Sequence, residues 1–168
     1  MDVSTALGQL LNTLPQVGKV MWIGARPARD EPMIVVESAQ LVAGRGLVGD
    51  RFKGRPGSAR QVTLIQHEHL AVLAACLHRD SIDPMLLRRN ISVGGINLLA
   101  LKDKRFRVGE TLLEYSGLAH PCSKMETLLG AGGYNAMRGH GGITARVIDG
   151  GVIHRGDAVV YLSQDEHR

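Results

Sequence analysis

Hydrophobic and polar positions change period along the chain, and the changes mark its elements. Gln61-Val62-Thr63-Leu64-Ile65 is a compact β-branched run that suits a strand. Directly after it the period lengthens, and Leu70, Leu73, Ala74 and Leu77 fall on one face of a helix over 67–78. Upstream, 2–14 reads as a short helix or ordered arm ended by Pro15, 17–25 as a first strand and 33–42 as a second. Asp83-Pro84 opens a second short helix, with the aspartate as cap and proline at the first helical position. β character then returns at 91–93, 106–108, 111–115, 143–148, 152–153 and 158–162. Asp149-Gly150 predicts a hairpin between 143–148 and 152–153, because both residues tolerate positive φ. The glycine-rich stretch 130–142 reads as a mobile loop able to serve as a lid.

Many short strands with a few interspersed helices predict a mainly β fold, a closed or nearly closed barrel of mostly antiparallel strands. No Pro/Ser-rich linker divides the chain, so 1–168 is expected to be a single domain with its core over about 17–162 and an arm at 1–14. Composition narrows the function classes. Aromatic residues make up only 4% of 168, which leaves the core to aliphatic side chains and Met and provides no stacking platforms for nucleic acid. The formal charge of +4 is spread along the chain rather than gathered in a tail, a balance that attracts a small anion. Two cysteines, Cys76 and Cys122, do not make a disulfide framework, and a reducing cytoplasm is the expected location. No apolar run approaches the ~20 residues of a membrane span, and the start Met1-Asp2-Val3-Ser4-Thr5 has no basic leader region.

The most informative segment is His120-Pro121-Cys122-Ser123-Lys124-Met125-Glu126. Ser123-x-x-Glu126 has the form of a capping box, and Met125, Leu128 and Leu129 give the following helix an apolar face. Cys122 therefore precedes a helix start, where unpaired N–H groups and the charge of Lys124 favour a thiolate. A thiolate is what a soft metal or a sulfur-transfer reaction requires. The alternative is a small hydrophobe buried at the helix start. Cys76, among alanines on the preceding helix, is expected to pack in the core. A zinc site is not expected: His67-Glu68-His69 places its imidazoles on different sides of a helix, and His120-x-Cys122 is half a site.

Gly44-Arg45-Gly46-Leu47-Val48-Gly49 matches the dinucleotide fingerprint by letter, but the Asp50–Gly57 stretch that follows cannot open a long helix. The segment is instead a loop whose amides, with Arg45, Arg51, Lys53 and Arg55, face an anion or solvent. Arg88-Arg89-Asn90 ends a short helix and feeds a strand, so one guanidinium is expected to enter a cavity and the other to cap the helix. Lys102, Lys104, Arg105 and Arg107 read as a solvated loop.

In order along the chain stand Gly46-Leu47-Val48-Gly49-Asp50-Arg51, Arg60-Gln61-Val62-Thr63-Leu64, Leu87-Arg88-Arg89-Asn90, Phe106-x-Val108-Gly109-Glu110, Pro121-Cys122, Gly141-Gly142-x-x-Ala145-Arg146-Val147 and Gly156-Asp157-x-Val159. This ordered set resembles the MOSC family, named for the C-terminal domain of molybdenum cofactor sulfurase. The resemblance implies a MOSC-type β-barrel and a molybdenum cofactor (molybdopterin), with Cys122 as metal ligand. It makes Arg51, Arg60, Arg88 and Arg89 candidates for the pterin and its phosphate, with Asn90 and Lys124 beside them. Some relatives join the domain to a pyridoxal-phosphate desulfurase, for which these 168 residues leave no room, so an electron or sulfur donor is expected to be a separate protein. Three functions stay open. One is reduction of small N-hydroxylated substrates. Another is sulfur carriage as a persulfide on Cys122. The third is anion binding without catalysis. Roles for His120, Tyr134 and His140 do not follow from their spacing.

Overall fold

A computed structural model of the chain describes residues 4–51 and 55–163. The chain begins with α1 (Ala6–Asn12), β1 (Gly18–Ala25), β2 (Ile34–Val36), β3 (Ser38–Val42) and β4 (Gly46–Leu47). It continues through β5 (Val62–Gln66), α2 (His69–Cys76), a 3-10 turn (Pro84–Leu87), β6 (Ile91–Gly94) and a second 3-10 turn (Leu98–Leu101). The remainder is β7 (Arg105–Val108), β8 (Thr111–Leu118), α3 (Ser123–Leu129), α4 (Gly133–Met137), β9 (Ile143–Asp149), β10 (Gly151–His154) and β11 (Ala158–Tyr161).

Seven strands close a barrel in the order β11-β7-β8-β9-β5-β6-β1, with β11 pairing back to β1 and β2 extending from β1. Closure leaves those seven without free edges. The barrel is mixed: β5 and β6 run parallel, while the other neighbours are antiparallel. That pair is joined by the crossover holding α2 and the first 3-10 turn, the long connection a parallel pair needs. A three-stranded sheet, β10-β3-β4, accompanies the barrel.

Two apolar clusters hold these layers. The barrel interior is filled by Val20, Ile23, Leu64, Ile91, Val93, Phe106 and Leu113, all fully buried. Burial of each side chain of this size contributes roughly 1.5–3 kcal/mol. The other cluster unites Ile65 on β5 with Leu70 and Leu73 on α2, Met125 and Leu129 on α3, and Met137 on α4. β5 lies between the two, which explains burial at all five of its positions and its lack of polar alternation. Among the described residues, no helix is long and apolar enough to cross a membrane.

Several expectations are corrected. The run 33–42 is two strands: β2 pairs with β1, whereas β3 pairs with β10 and β4, so the chain changes sheet at Glu37. The hairpin at Asp149-Gly150 is not formed. Both edges of β9 are taken by β5 and β8, and β10 pairs with β3 instead. Arg105 and Arg107 lie on β7 rather than in a loop, with their side chains turned away from buried Phe106 and Val108. Cys76, the last residue of α2, is exposed rather than packed.

Candidate functional site

Cys122 occupies the N-cap of α3 in an extended conformation, and its side chain is exposed. The helix behind it is anchored by buried Met125 and Leu129, and Arg79 donates to the Leu129 carbonyl at its far end. The expected capping box is absent. Ser123 is the first helical residue, and Glu126 reaches forward to accept from the Gly132 N–H at 2.7 Å and the Tyr134 N–H at 2.9 Å. Those donors hold the Glu126 carboxyl below its usual range. Glu126 thereby ties α3 to α4, and the stretch expected to be a loose lid carries that helix.

Arg89 sets the backbone approach to Cys122. Only 4% exposed, it donates from Nε to the Gly141 carbonyl at 2.8 Å and from Nη1 to Leu87 at 3.1 Å. Its Nη2 donates to Ala119 at 3.0 Å and to His120 at 3.3 Å, the two residues before Pro121-Cys122. These partners are neutral carbonyls. Burial, joined by repulsion from Arg60 and Arg26, lowers its pKa to about 10, opposed by a negative charge at Cys122. Close approach of Gly141 permits this clamp, because a methyl group there would strike the Ala119 carbonyl oxygen. Gly142, at φ +86°, is pressed equally against the Leu64 carbonyl.

A second network sits beside the first. Asp50, its side chain 2% exposed, takes Arg26 as a two-pronged ion pair at 3.0 and 2.7 Å and also accepts the Arg26 backbone N–H. Asn90 donates to Asp50 Oδ1 and to the Gly24 carbonyl, and its own Oδ1 accepts from the Thr63 N–H and hydroxyl. These bonds use the donors and acceptors of its amide, so Asn90 orients Asp50 and has no group left to face a ligand.

Arg26 lies within electrostatic reach of Arg60, Arg88 and Arg89, and Arg51 within reach of Arg88. Arg60 is exposed by area, yet enough protein surrounds its guanidinium for burial to lower its pKa; the Arg26 charge lowers it further and a Cys122 thiolate opposes both. Arg88 shows the same direction, again chiefly from burial and then from Arg26 and Arg51. It adopts a left-handed backbone, φ 55°, and donates to the Glu31 carbonyl. Arg89 bonds the Leu87 carbonyl at the turn's end, while Arg88 lines a cavity between the 30–33 segment, the Pro84–Leu87 turn and α3.

Of the candidates named from sequence, Arg60 and Arg89 lie within electrostatic reach of Cys122, whereas Arg88 is linked to them through Arg26, and Arg51 to Arg88. Lys124 does not direct its charge there: its Nζ pairs with Asp30 at 2.8 Å, which lowers the Asp30 pKa. Lys53 lies outside the described residues. The Tyr134 N–H binds Glu126, the His120 carbonyl accepts from Arg89, and His140 stands edge-on to His69 with ring centres 4.8 Å apart. Sequence reasoning missed Arg26 and Asp50. Asp50 was visible within Gly49-Asp50-Arg51 as an acid in a basic loop; Arg26 had no signal beyond following a strand.

Fold and site together define a closed mixed barrel that presents an accessible thiol among guanidinium groups. The MOSC domain family model matches residues 49–160, and the chain belongs to that family. The matched span contains Asp50, Arg60, Arg89 and Cys122 but not Arg26. The YuaD protein from Bacillus subtilis shares the fold at a TM-score of 0.75 with 18% identity, over 90% of this chain and 100% of that one. YiiM from Escherichia coli does so at 0.66 with 20% identity, over 87% and 70%. YiiM from Geobacillus stearothermophilus likewise gives 0.66 with 18% identity, over 88% and 76%. At these identities the likeness speaks for the fold alone. No curated protein matches the chain significantly.

Proposed function

We propose that this chain binds a molybdenum–pterin cofactor through Cys122 and reduces N-hydroxylated substrates in the cytoplasm, with electrons from a separate protein. One observation carries this reading: an exposed thiol shares its electrostatic neighbourhood with Arg60 and with a buried Arg89 whose bonded partners are all neutral. The donor set fits the cofactor. A soft thiolate suits molybdenum, and guanidinium forks suit a phosphate, whose charge would offset a cation that carbonyls solvate but do not neutralise. On this reading Cys122 holds the metal, and Arg60, Arg88 and Arg51 face the phosphate and pterin. Arg89 and Asn90 are positioning residues. When bound, the cofactor would supply two electrons for breaking the N–O bond and a place to take up the substrate oxygen.

The chain's own part is to hold and orient. Arg89 fixes the 119–120 carbonyls so that Cys122 projects from the start of α3. Asp50, oriented by Asn90, holds the Arg26 guanidinium in a two-pronged pair and moderates like-charge repulsion among the arginines. The test is turnover of an N-hydroxylated base by protein from a cofactor-producing host, with a chemical reductant as electron source. Activity lost in Cys122→Ser and weakened in Arg60→Gln is expected; full activity without bound cofactor, or in Cys122→Ser, overturns the assignment.

The exposure of Cys122 equally serves a second function, carriage of sulfur as a persulfide, which needs an accessible thiol and no pterin. Intact mass after incubation with a cysteine desulfurase distinguishes it: one added sulfur, absent in Cys122→Ala, supports carriage, and no adduct rejects it.

A further inference from the structure

An amphipathic helix ordinarily turns its leucines to the core. Helix α1 does the opposite. Leu7, Leu10 and Leu11, at the i, i+3 and i+4 spacing of one stripe, are all exposed, Leu10 by 72%. The side turned to the barrel is small and polar. Gly8 is buried there, and half-buried Asn12 donates to the Gly8 carbonyl at 2.8 Å and accepts from the Tyr161 hydroxyl at 3.2 Å. Leu14, beyond the helix, packs against the barrel core instead. The stripe continues into a groove of about 690 Å³ between α1, the Leu98–Leu101 turn and the start of β7, where Leu10, Leu11 and Leu14 share the lining with exposed Leu99. Leu7, Leu10, Leu11 and Leu99 together leave on the order of 400 Å² uncovered, in the range of the largest apolar patch on a monomer, which is often functional.

The charge and area of this face indicate what covers it. Ala6–Asn12 contains no charged residue. On the groove's rim Arg105 is paired with Glu114, and the Lys104 ammonium lies 5.8 Å from the centre of the Tyr161 ring. Lys102 and Asp103 stand there side by side with opposite signs. A helix that lies on a membrane surface carries cations on its polar face, and α1 has none. A strongly acidic partner would meet Asp103 and Glu114. A second copy suits both features: across a two-fold axis leucines meet leucines, and Lys102 of each chain can meet Asp103 of the other. Covering the leucines of both copies removes about 800 Å² from water, and the polar rim brings the total to the ~1,000 Å² that a specific interface requires.

We propose that two copies of this chain pair through the leucine face of α1 as a two-fold dimer. The pairing makes no use of Cys122 and stands apart from the cofactor reading. The test is sedimentation equilibrium of the full chain from micromolar to millimolar concentration, with a reductant present so that exposed Cys76 and Cys122 do not link copies. Wild type shows a reversible monomer–dimer equilibrium. Leu10→Lys raises the dimer Kd about 100-fold or more, because each dimer loses that leucine twice. The thermal transition of the dilute monomer stays unchanged, since Leu10 faces solvent there. Gln9→Lys, on α1 but off the stripe, leaves the equilibrium as in wild type. A chain that stays monomeric to millimolar concentration, or a dimer equally stable in Leu10→Lys, overturns the proposal. Monomers that bind phosphatidylglycerol vesicles, with binding lost in Leu10→Lys, overturn it in favour of a lipid surface.

Discussion

Replacing Arg89 tests whether the route to Cys122 is held by one buried cation. Arg89→Met keeps much of the aliphatic volume but withdraws donors from the carbonyls of Leu87, Ala119, His120 and Gly141. Hydrogen bonds from a charged donor contribute about 1.5–3 kcal/mol each. The four bonds share one charge, and its removal also relieves the cost of burying a guanidinium without a carboxylate. The net loss is therefore set by the buried carbonyls left without a donor, at about 1–3 kcal/mol for each one that finds no other partner, and about 3–5 kcal/mol together is expected. For a domain of this size that corresponds to a fall in Tm of roughly 6–20 °C. Arg89→Lys, with one ammonium unable to span four acceptors, should recover only part of it. Urea unfolding gives the free energy, and amide exchange at 119–122 should accelerate in Arg89→Met while the barrel amides stay protected relative to global stability. An Arg89→Met protein within about 1 kcal/mol of wild type, a typical surface-substitution range, with unchanged exchange at 119–122, would refute the clamp.

Three other outcomes follow from the same contacts. Asp50→Asn, which strands Arg26 beside a side chain 2% exposed, should cost about 3–5 kcal/mol in urea unfolding. Gly142→Ala forces a left-handed backbone on alanine and drives a methyl toward the Leu64 carbonyl, so a loss of at least about 3 kcal/mol is expected. His69 has its pKa lowered from 6.5, first by burial and then by the His140 charge. The unfolded chain therefore takes up that proton before the native state does, and stability falls as pH drops through and below 6.5. The stability gap between wild type and His69→Gln should shift between about pH 7.5 and about pH 5.5, and a constant gap would reject the assignment.

What the sequence discloses about this fold is local. The β-branched run at 62–66 and the helical spacing of Leu70, Leu73 and Ala74 translate directly into β5 and α2, because each pattern records which face is buried. Asp83-Pro84 caps its 3-10 turn as its chemistry requires, with Asp83 accepting from the Met85 N–H. Pairing partners are a different matter. Asp149-Gly150 has hairpin chemistry, but which edges of β9 are free depends on strands far away in the chain. In the same way Ser123-x-x-Glu126 spells a capping box, yet Glu126 finds stronger use in the amides of Gly132 and Tyr134, brought near by the α3–α4 turn. For the site, residue types pointed to Cys122 and the arginines, but not to their division of labour. Arg89, Arg88 and Asn90 are adjacent in sequence and face three environments: backbone carbonyls, a cavity rim and a buried carboxylate. Arg26 escaped notice because its function derives wholly from Asp50, which meets it only after folding.

The central claim, that Cys122 is the metal ligand, is tested most directly by molybdenum content. Wild type and Cys122→Ser are purified in parallel from a host that makes the pterin cofactor, with folding verified by matched thermal transitions, and molybdenum is measured per chain. The account predicts near-stoichiometric metal in wild type and background in the variant; equal molybdenum in both, or none in either, contradicts it.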